Sequence, residues 1–243
     1  MINRQLLKKF RQLKEKAYKK YSGLHHVDFL EGPEVLVLAP HPDDDIFGCG
    51  GTLIRHLEEG HEVRVVYLCQ GEKGIPHKTG NAAAEIRRQE AITATNIIGI
   101  PAVNLYFFNQ PDEQLKVNQR LIKKLEELIN SFLPKIIYLP SPVDQHHDHL
   151  QTNLLLKAVK CKNVLLAAYE VWTPHIPNRI VDITGAMPQK QKAMSAHQSQ
   201  IEVLDYFSAI TGLNQYRASL YPKVKMKYAE AFMVASKEEY FRL

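Results

Sequence analysis

Hydrophobic positions along the chain fall into two alternating rhythms. Beyond the Gly32-Pro33 link, short continuous apolar runs predict strands over residues 35–39, 62–69, 103–107, 136–139 and 164–170. Between them, apolar residues return every three or four positions, as Leu53, Ile54 and Leu57 do, and predict helices over about 48–59, 82–98, 117–132 and 149–159. Strands that are apolar throughout, separated by amphipathic helices, imply an α/β fold: a Rossmann-like three-layer sandwich whose mostly parallel sheet is covered on both faces. In such sheets ligands bind beyond the carboxyl ends of the strands. The residues just after 39 and 139 are therefore the first places to look for chemistry.

The N-terminal segment has a rhythm of its own. Leu6, Phe10, Leu13 and Ala17, continued by Tyr21, line one face of an amphipathic helix. This divides the chain into a basic helical segment, residues 1–30, and a catalytic domain, residues 31–243, which is long enough for one substantial core. Charge sharpens the division. The net charge is +5, but residues 1–26 carry eight Lys and Arg against Glu15 alone, a local +7 that leaves −2 for the remainder. A nearly neutral body argues against nucleic acid as a partner, because such a domain spreads basic residues over a folded face. The apolar face of the segment needs cover, and two readings stand: packing on the body or on a second copy in a homo-oligomer, or reversible contact of residues 1–21 with an anionic membrane face.

No run of about 18 apolar residues occurs, and the N-terminus lacks the order of a secretory signal, so the expected compartment is the cytoplasm, with peripheral contact at the inner membrane face as the variant. Cys49, Cys69 and Cys161 are odd in number and show no CxxC spacing, which reads as free thiols rather than a disulfide framework or a cysteine zinc site.

The chemistry lies where the sheet rule points. APHPDDDIFGCGG, residues 39–51, packs His41, Asp43, Asp44 and Asp45 just past the first predicted strand; His146, His147, Asp148 and His149 follow the strand 136–139. Either cluster alone could be a turn entering a helix. Together, at one edge of one sheet, they point to a divalent cation, because crowded carboxylates repel unless a positive charge offsets them. Mixed nitrogen and oxygen ligands suit zinc. Gly48, Gly50 and Gly51 match no phosphate-loop pattern and read instead as close helix approach beneath the metal loop.

These motifs resemble the two signatures of the LmbE/PIG-L zinc-dependent de-N-acetylases, whose usual forms are AHPDDE and HPDH. Here they read PHPDDD, followed by CGG, and HHDH; IRRQEA at 86–91, KAMSAHQSQ at 192–200 and YAEAF at 228–232 continue the similarity, which spans roughly residues 34–235. The resemblance implies His41, Asp44 and His149 as ligands of Zn2+, with Fe2+ as the alternative ion. It implies Asp43 as the general base, His146 as a cationic partner to the oxyanion or leaving amine, Asp148 as the residue that orients His146, and Arg87 as a contact to a sugar hydroxyl. Asp45 and His147 depart from the usual Glu and Pro.

The implied activity is a metal-dependent hydrolase that removes acetate from an N-acetylated amino sugar or glycoconjugate. Hydrolysis of another small N-acyl amide, or metal and sugar binding without turnover, are the alternatives. Trp172, past the strand 164–170, is either packing or a sugar platform. His197 faces either the pocket or the core. His25, His26, His56, His61, His77 and His175 read as ordinary surface or core residues.

Overall fold

The computed structural model describes residues 23–27, 32–78, 80–221 and 225–242. The basic amphipathic segment expected over residues 1–21 lies outside them; His25–Val27, within the segment expected to stand apart, forms strand β1. The chain then runs through β2 (Glu34–Ala39), α1 (Asp44–Glu58), β3 (Glu62–Cys69), α2 (Gly80–Ile98) and β4 (Leu105–Gln110). Next come α3 (Gln119–Phe132), β5 (Ile136–Pro140), α4 (His147–Ala158) and β6 (Leu165–Tyr169). The C-terminal part adds β7 (Arg179–Asp182), α5 (Met187–Met194), α6 (Gln198–Ile201), α7 (Tyr206–Ser219), β8 (Ala229–Ser236) and α8 (Lys237–Tyr240).

The eight strands among the described residues form one sheet in the order β1-β7-β8-β6-β5-β2-β3-β4. Neighbours pair parallel except β8, which runs antiparallel to both β6 and β7. The expected α/β sandwich with a mostly parallel sheet is thus present. Strand β2 is central and wholly apolar because both of its faces are covered. Val35, Val37 and Ala39 face a core shared with α1, α2 and α5, while Leu36 and Leu38 face a second core closed by α3 and α4.

Topology creates the site. From β2 the chain moves outward through β3 and β4, then returns to place β5 on the other side of β2. Connections leaving the carboxyl ends of β2 and β5 therefore diverge and open a crevice between them, the switch point at which doubly wound sheets bind ligands. Both chemical motifs sit in those two connections.

Helix α1 starts at Asp44 rather than near residue 48, so the acidic run forms its first turn instead of a preceding loop. Its glycines hid that start, since glycine disfavours helix interiors. They are needed for contact: a Cβ on Gly48 would come within 2.3 Å of the Tyr169 ring, and one on Gly51 within 2.8 Å of Ile183. Tyr169 cannot yield, being fully buried with its hydroxyl donating to the Leu38 carbonyl at 3.0 Å.

A buried ion pair also bonds the backbone of α1 at this point. The Glu230 carboxylate accepts the Gly51 and Thr52 N–H groups at 2.8 and 2.7 Å, and Lys190 Nζ donates to Glu230 at 2.7 Å and to the Phe47 carbonyl at 3.0 Å. Asn214 Oδ1 accepts a third bond from Lys190 at 3.0 Å, so the buried ammonium is fully partnered. Among the described residues no helix is long and apolar enough to cross a membrane.

Gly48→Ala is expected to destabilise the fold by roughly 1–3 kcal/mol, as overpacking does, in urea or thermal denaturation. Gly50→Ala, whose Cβ would find neighbours no closer than 3.6 Å, is expected to be neutral or stabilising by up to about 1 kcal/mol.

Candidate active site

Three side chains from two distant segments converge on one point. Asp44 Oδ2 lies 3.2 Å from His41 Nδ1 and 3.3 Å from His149 Nε2. His41 leaves the end of β2, Asp44 opens α1, and His149 lies in the first turn of α4, which starts at His147. The opposite nitrogen of each ring faces carboxylates. His41 Nε2 stands 3.1 Å from both Asp112 Oδ1 and Asp148 Oδ2, and His149 Nδ1 is 3.2 Å from Asp144 Oδ2. The Asp148 carboxylate, hydrogen-bonded to His41 Nε2, holds a proton there and leaves the inner lone pair to a ligand, the usual backing of a metal-bound histidine, and the Asp144 carboxylate stands on the corresponding side of His149.

Donor spacing tests the fit to a metal. A tetrahedral ion with bonds of about 2.0 Å separates adjacent donors by about 3.3 Å, close to the spacings on either side of Asp44. Both ring nitrogens of His149 are buried yet make no hydrogen bond of proper geometry. His146 stands beside them, since His41, His146 and His149 each offer a ring nitrogen within 4.8 Å of the others. The cluster can hold a metal ion.

Electrostatics makes the same demand. Burial alone would lower the His41 pKa, but Asp112, Asp148 and Asp44 lift it well above 6.5. Against the same burial, Asp44 and Asp144 raise His149 to about 9. Asp44 is depressed well below 3.8 despite burial, through His149 and His41. The carboxylates thus require positive charge at this point. Protons on both imidazoles would answer it, but only a cation does so while leaving the inner nitrogens free to ligate.

Around this centre lies a cleft of about 150 Å³ lined by His41, Asp43, Asp44, Arg87, His146 and Trp172, among others. Asp43 is 6% exposed and its carboxylate is 3.2 Å from Arg87 Nη2. Burial raises the Asp43 pKa and the Arg87 charge opposes that rise. Arg87 Nε and Nη1 are buried without a hydrogen-bond partner in a side chain that lines the cleft. Trp172 is 48% exposed, lines the cleft and meets Tyr206, which also lines it, edge to face at 5.5 Å.

Two sequence expectations are corrected. The Asp148 carboxylate does not orient His146; it is directed to His41 and held by the Glu113 and Leu115 N–H groups at 2.8 and 3.1 Å. Asp148 reaches His146 through its own backbone N–H, which donates to His146 Nδ1 at 3.2 Å. Nor does the geometry present a cationic His146: its Nδ1 accepts the Asp148 N–H, and burial with the charges on His41 and His149 lowers its pKa. With Nδ1 accepting a bond, the ring proton sits on Nε2.

The departures from the family pattern find partners. Asp45 accepts the Tyr67 hydroxyl at 2.9 Å, and burial lifts its pKa to about 7. His147 Nε2 lies 3.1 Å from the Leu115 carbonyl, so its ring ties α4 to the loop after β4. His197 does not line the cleft; it is fully buried with its ring 5.5 Å from Phe47. Two residues went unnoticed in the sequence, Asp112 and Asp144. Asp112 follows β4 at the same sheet edge and could have been found by the carboxyl-end rule; Asp144 stands two positions before His146.

Comparison with known proteins follows these features closely. The profile of the GlcNAc-PI de-N-acetylase (PIG-L) family matches residues 36–160, which hold both motifs. The diacetylchitobiose deacetylase of Thermococcus kodakarensis is 27% identical over 193 residues, covering 71% of this chain and 72% of that one. A probable N-acetyl-alpha-D-glucosaminyl L-malate deacetylase of Bacillus anthracis is 26% identical, covering 68% and 80%. A 4-oxalmesaconate hydratase of Pseudomonas putida is 24% identical, covering 72% and 77%. Among solved structures, the N,N'-diacetylchitobiose deacetylase of Pyrococcus horikoshii, complexed with an inhibitor, superposes with a TM-score of 0.77 at 26% identity over 93% of this chain and 94% of that one. With the profile spanning half the sequence and both of its chemical motifs, the chain belongs to the PIG-L (LmbE-like) de-N-acetylase family.

Proposed function

We propose that the protein is a zinc-dependent N-deacetylase that hydrolyses the acetamide of an N-acetylated amino sugar or glycoconjugate, with His41, Asp44 and His149 as the metal ligands. The observation that carries this reading is that Asp43 and His146 line a cleft together with the candidate ligands His41 and Asp44, with the buried His149 3.3 Å behind Asp44 Oδ2. A divalent cation held there would polarise the amide carbonyl and bring the attacking water's pKa toward neutrality.

The chain's own groups supply the rest. Asp43, adjacent to a ligand but turned to Arg87, accepts the proton that water loses as it attacks the carbonyl carbon. His146, neutral with its proton on Nε2, donates a hydrogen bond to the developing oxyanion, a contribution of about 3 kcal/mol for one such donor. Asp43 then passes its proton to the sugar nitrogen as the C–N bond breaks, leaving acetate and a free amine. Arg87 has spare donors for a sugar hydroxyl, and Trp172 with Tyr206 offers an apolar wall for the less polar face of a pyranose. These features favour a sugar acetamide over a small N-acyl acid.

The direct test is acetate release from a panel of N-acetyl saccharides, with and without chelator. Release that chelator abolishes and zinc restores is expected; a wild-type protein that binds zinc yet releases no acetate contradicts the reading. Asp43→Asn is expected to keep its metal and lose turnover by at least about 100-fold. Because Arg87 lowers the Asp43 pKa, Arg87→Met should move the acidic limb of the pH profile of kcat/KM to higher pH; a shift to lower pH would contradict Asp43 as base. Asp144→Ala, which removes the carboxylate behind His149, should weaken zinc binding about 10–100-fold in a chelator competition.

A further inference from the structure

The segment between β6 and β7 brings Trp172 to the cleft, yet its own packing gives it little hold. Trp172 is half-exposed, and Pro174 and Ile176 beside it are exposed. A surface segment that buries so little is mobile unless its backbone is tied.

The tie is a buried ion pair. Glu170, the first residue after β6, and Arg217, in the last turn of α7, are each 4% exposed. Arg217 Nε donates to Glu170 Oε2 at 2.9 Å and Arg217 Nη2 donates to Oε1, a two-pronged contact that fixes the direction of both side chains. The same two groups take both backbone polar atoms of His175: Glu170 Oε1 accepts its N–H at 2.8 Å, and Arg217 Nη2 donates to its carbonyl at 2.9 Å. Residues 170–175 are thereby closed into a loop that contains Trp172, whose backbone N–H is held on the cleft side by Asp144 at 3.3 Å.

Stability does not call for this arrangement. Two buried charges carry a desolvation cost that apolar side chains of similar volume avoid, so joining the end of β6 to α7 does not by itself require them. What the pair adds is direction, and α7 is a firm support for it. Asn214, one turn before Arg217, accepts from Lys190, whose ammonium also bonds the Phe47 carbonyl of α1. Tyr206, at the other end of α7, meets the Trp172 ring. One helix therefore grips the loop by its backbone and the indole by its ring, and is tied to the helix that opens with Asp44.

We infer that Arg217 and Glu170 are positioning residues of the reaction: through the His175 backbone they hold Trp172 at the cleft, and so govern how tightly the sugar ring is bound while leaving the bond-breaking step untouched. The inference rests on the deacetylase reading, in which Trp172 walls the sugar. Neither residue is among those lining the cleft, so their effect reaches the substrate through Trp172.

Trp172 is the chain's single tryptophan, and its fluorescence reports on the loop independently of activity. Glu170→Met combined with Arg217→Met removes both charges and leaves neither buried alone, which spares the fold. This double variant should remain folded and keep its zinc, while the Trp172 anisotropy falls and quenching by acrylamide rises. For the N-acetyl saccharide that the wild-type protein deacetylates, KM should rise about three- to tenfold, the worth of one aromatic contact, with kcat within about twofold. Trp172→Ala should raise KM by a similar factor, and adding the double substitution to it should change KM by less than about twofold more. An unchanged anisotropy, a freed Trp172 with an unchanged KM, a loss confined to kcat, or effects that multiply in the Trp172→Ala background would each overturn the inference. Should the double variant not fold, Arg217→Lys, which keeps the charge but cannot make the two-pronged contact, decides by the same readouts in the same directions. Should the wild-type protein release acetate from no saccharide, the deacetylase reading fails instead; titration of N,N'-diacetylchitobiose into the zinc-loaded proteins, followed by Trp172 fluorescence, then decides the inference. A Kd raised about three- to tenfold in the double variant upholds it, and equal Kd values or no binding overturn it.

Discussion

One carboxylate oxygen organises the molecule's chemistry. Asp44 Oδ2 stands within 3.3 Å of a nitrogen from His41 and of one from His149, residues more than a hundred positions apart in sequence. Buried negative charge is tolerable only when paired, and here three aspartates in succession enter a helix whose first turn is buried. Charge balance and the fold cannot be separated, because the positive partner must come from another connection of the same sheet.

The scaffold meets that requirement in layers. Parallel pairing of β2 with β5 brings both connections to one edge. The interdigitation of α1 with Tyr169 and Ile183, allowed by its glycines, fixes the helix against the sheet. Lys190 and Glu230 bond its backbone from behind. Further out, Asp112, Asp144 and Asp148 set the orientation of the two imidazoles. Asp144 Oδ2 also accepts the backbone N–H of Trp172 at 3.3 Å, so the group beside His149 also anchors the chain at the aromatic wall of the cleft. Ligand geometry and substrate placement share one carboxylate.

Much of this was readable in advance, and the limits have physical causes. The five apolar strands up to residue 170 were legible because a doubly covered parallel strand is apolar throughout, and β2 and β5 sufficed to place both motifs. Beyond Glu170 the signal fades. β7 has four residues, and β8 is rich in alanine and carries the buried Glu230, so neither shows the run or the alternation that marks a strand. The start of α1 was masked by glycines chosen for contact rather than for propensity. Asp112 and Asp144 are lone aspartates in connecting segments, whose meaning depends on long-range packing. The resemblance to the family pairs Asp148 with His146, whereas the first turn of α4 directs its side chain to His41.

The account stands on a single ion held jointly by His41, Asp44 and His149. A crystal structure of the zinc-loaded protein with anomalous diffraction measured on both sides of the zinc edge tests this most directly. One peak bonded to His41 Nδ1, Asp44 Oδ2 and His149 Nε2 is the predicted result. A peak on Cys69 and Asp148 at the far side of the His41 ring, the other grouping of metal-capable side chains, or no peak between the two histidines, would contradict it.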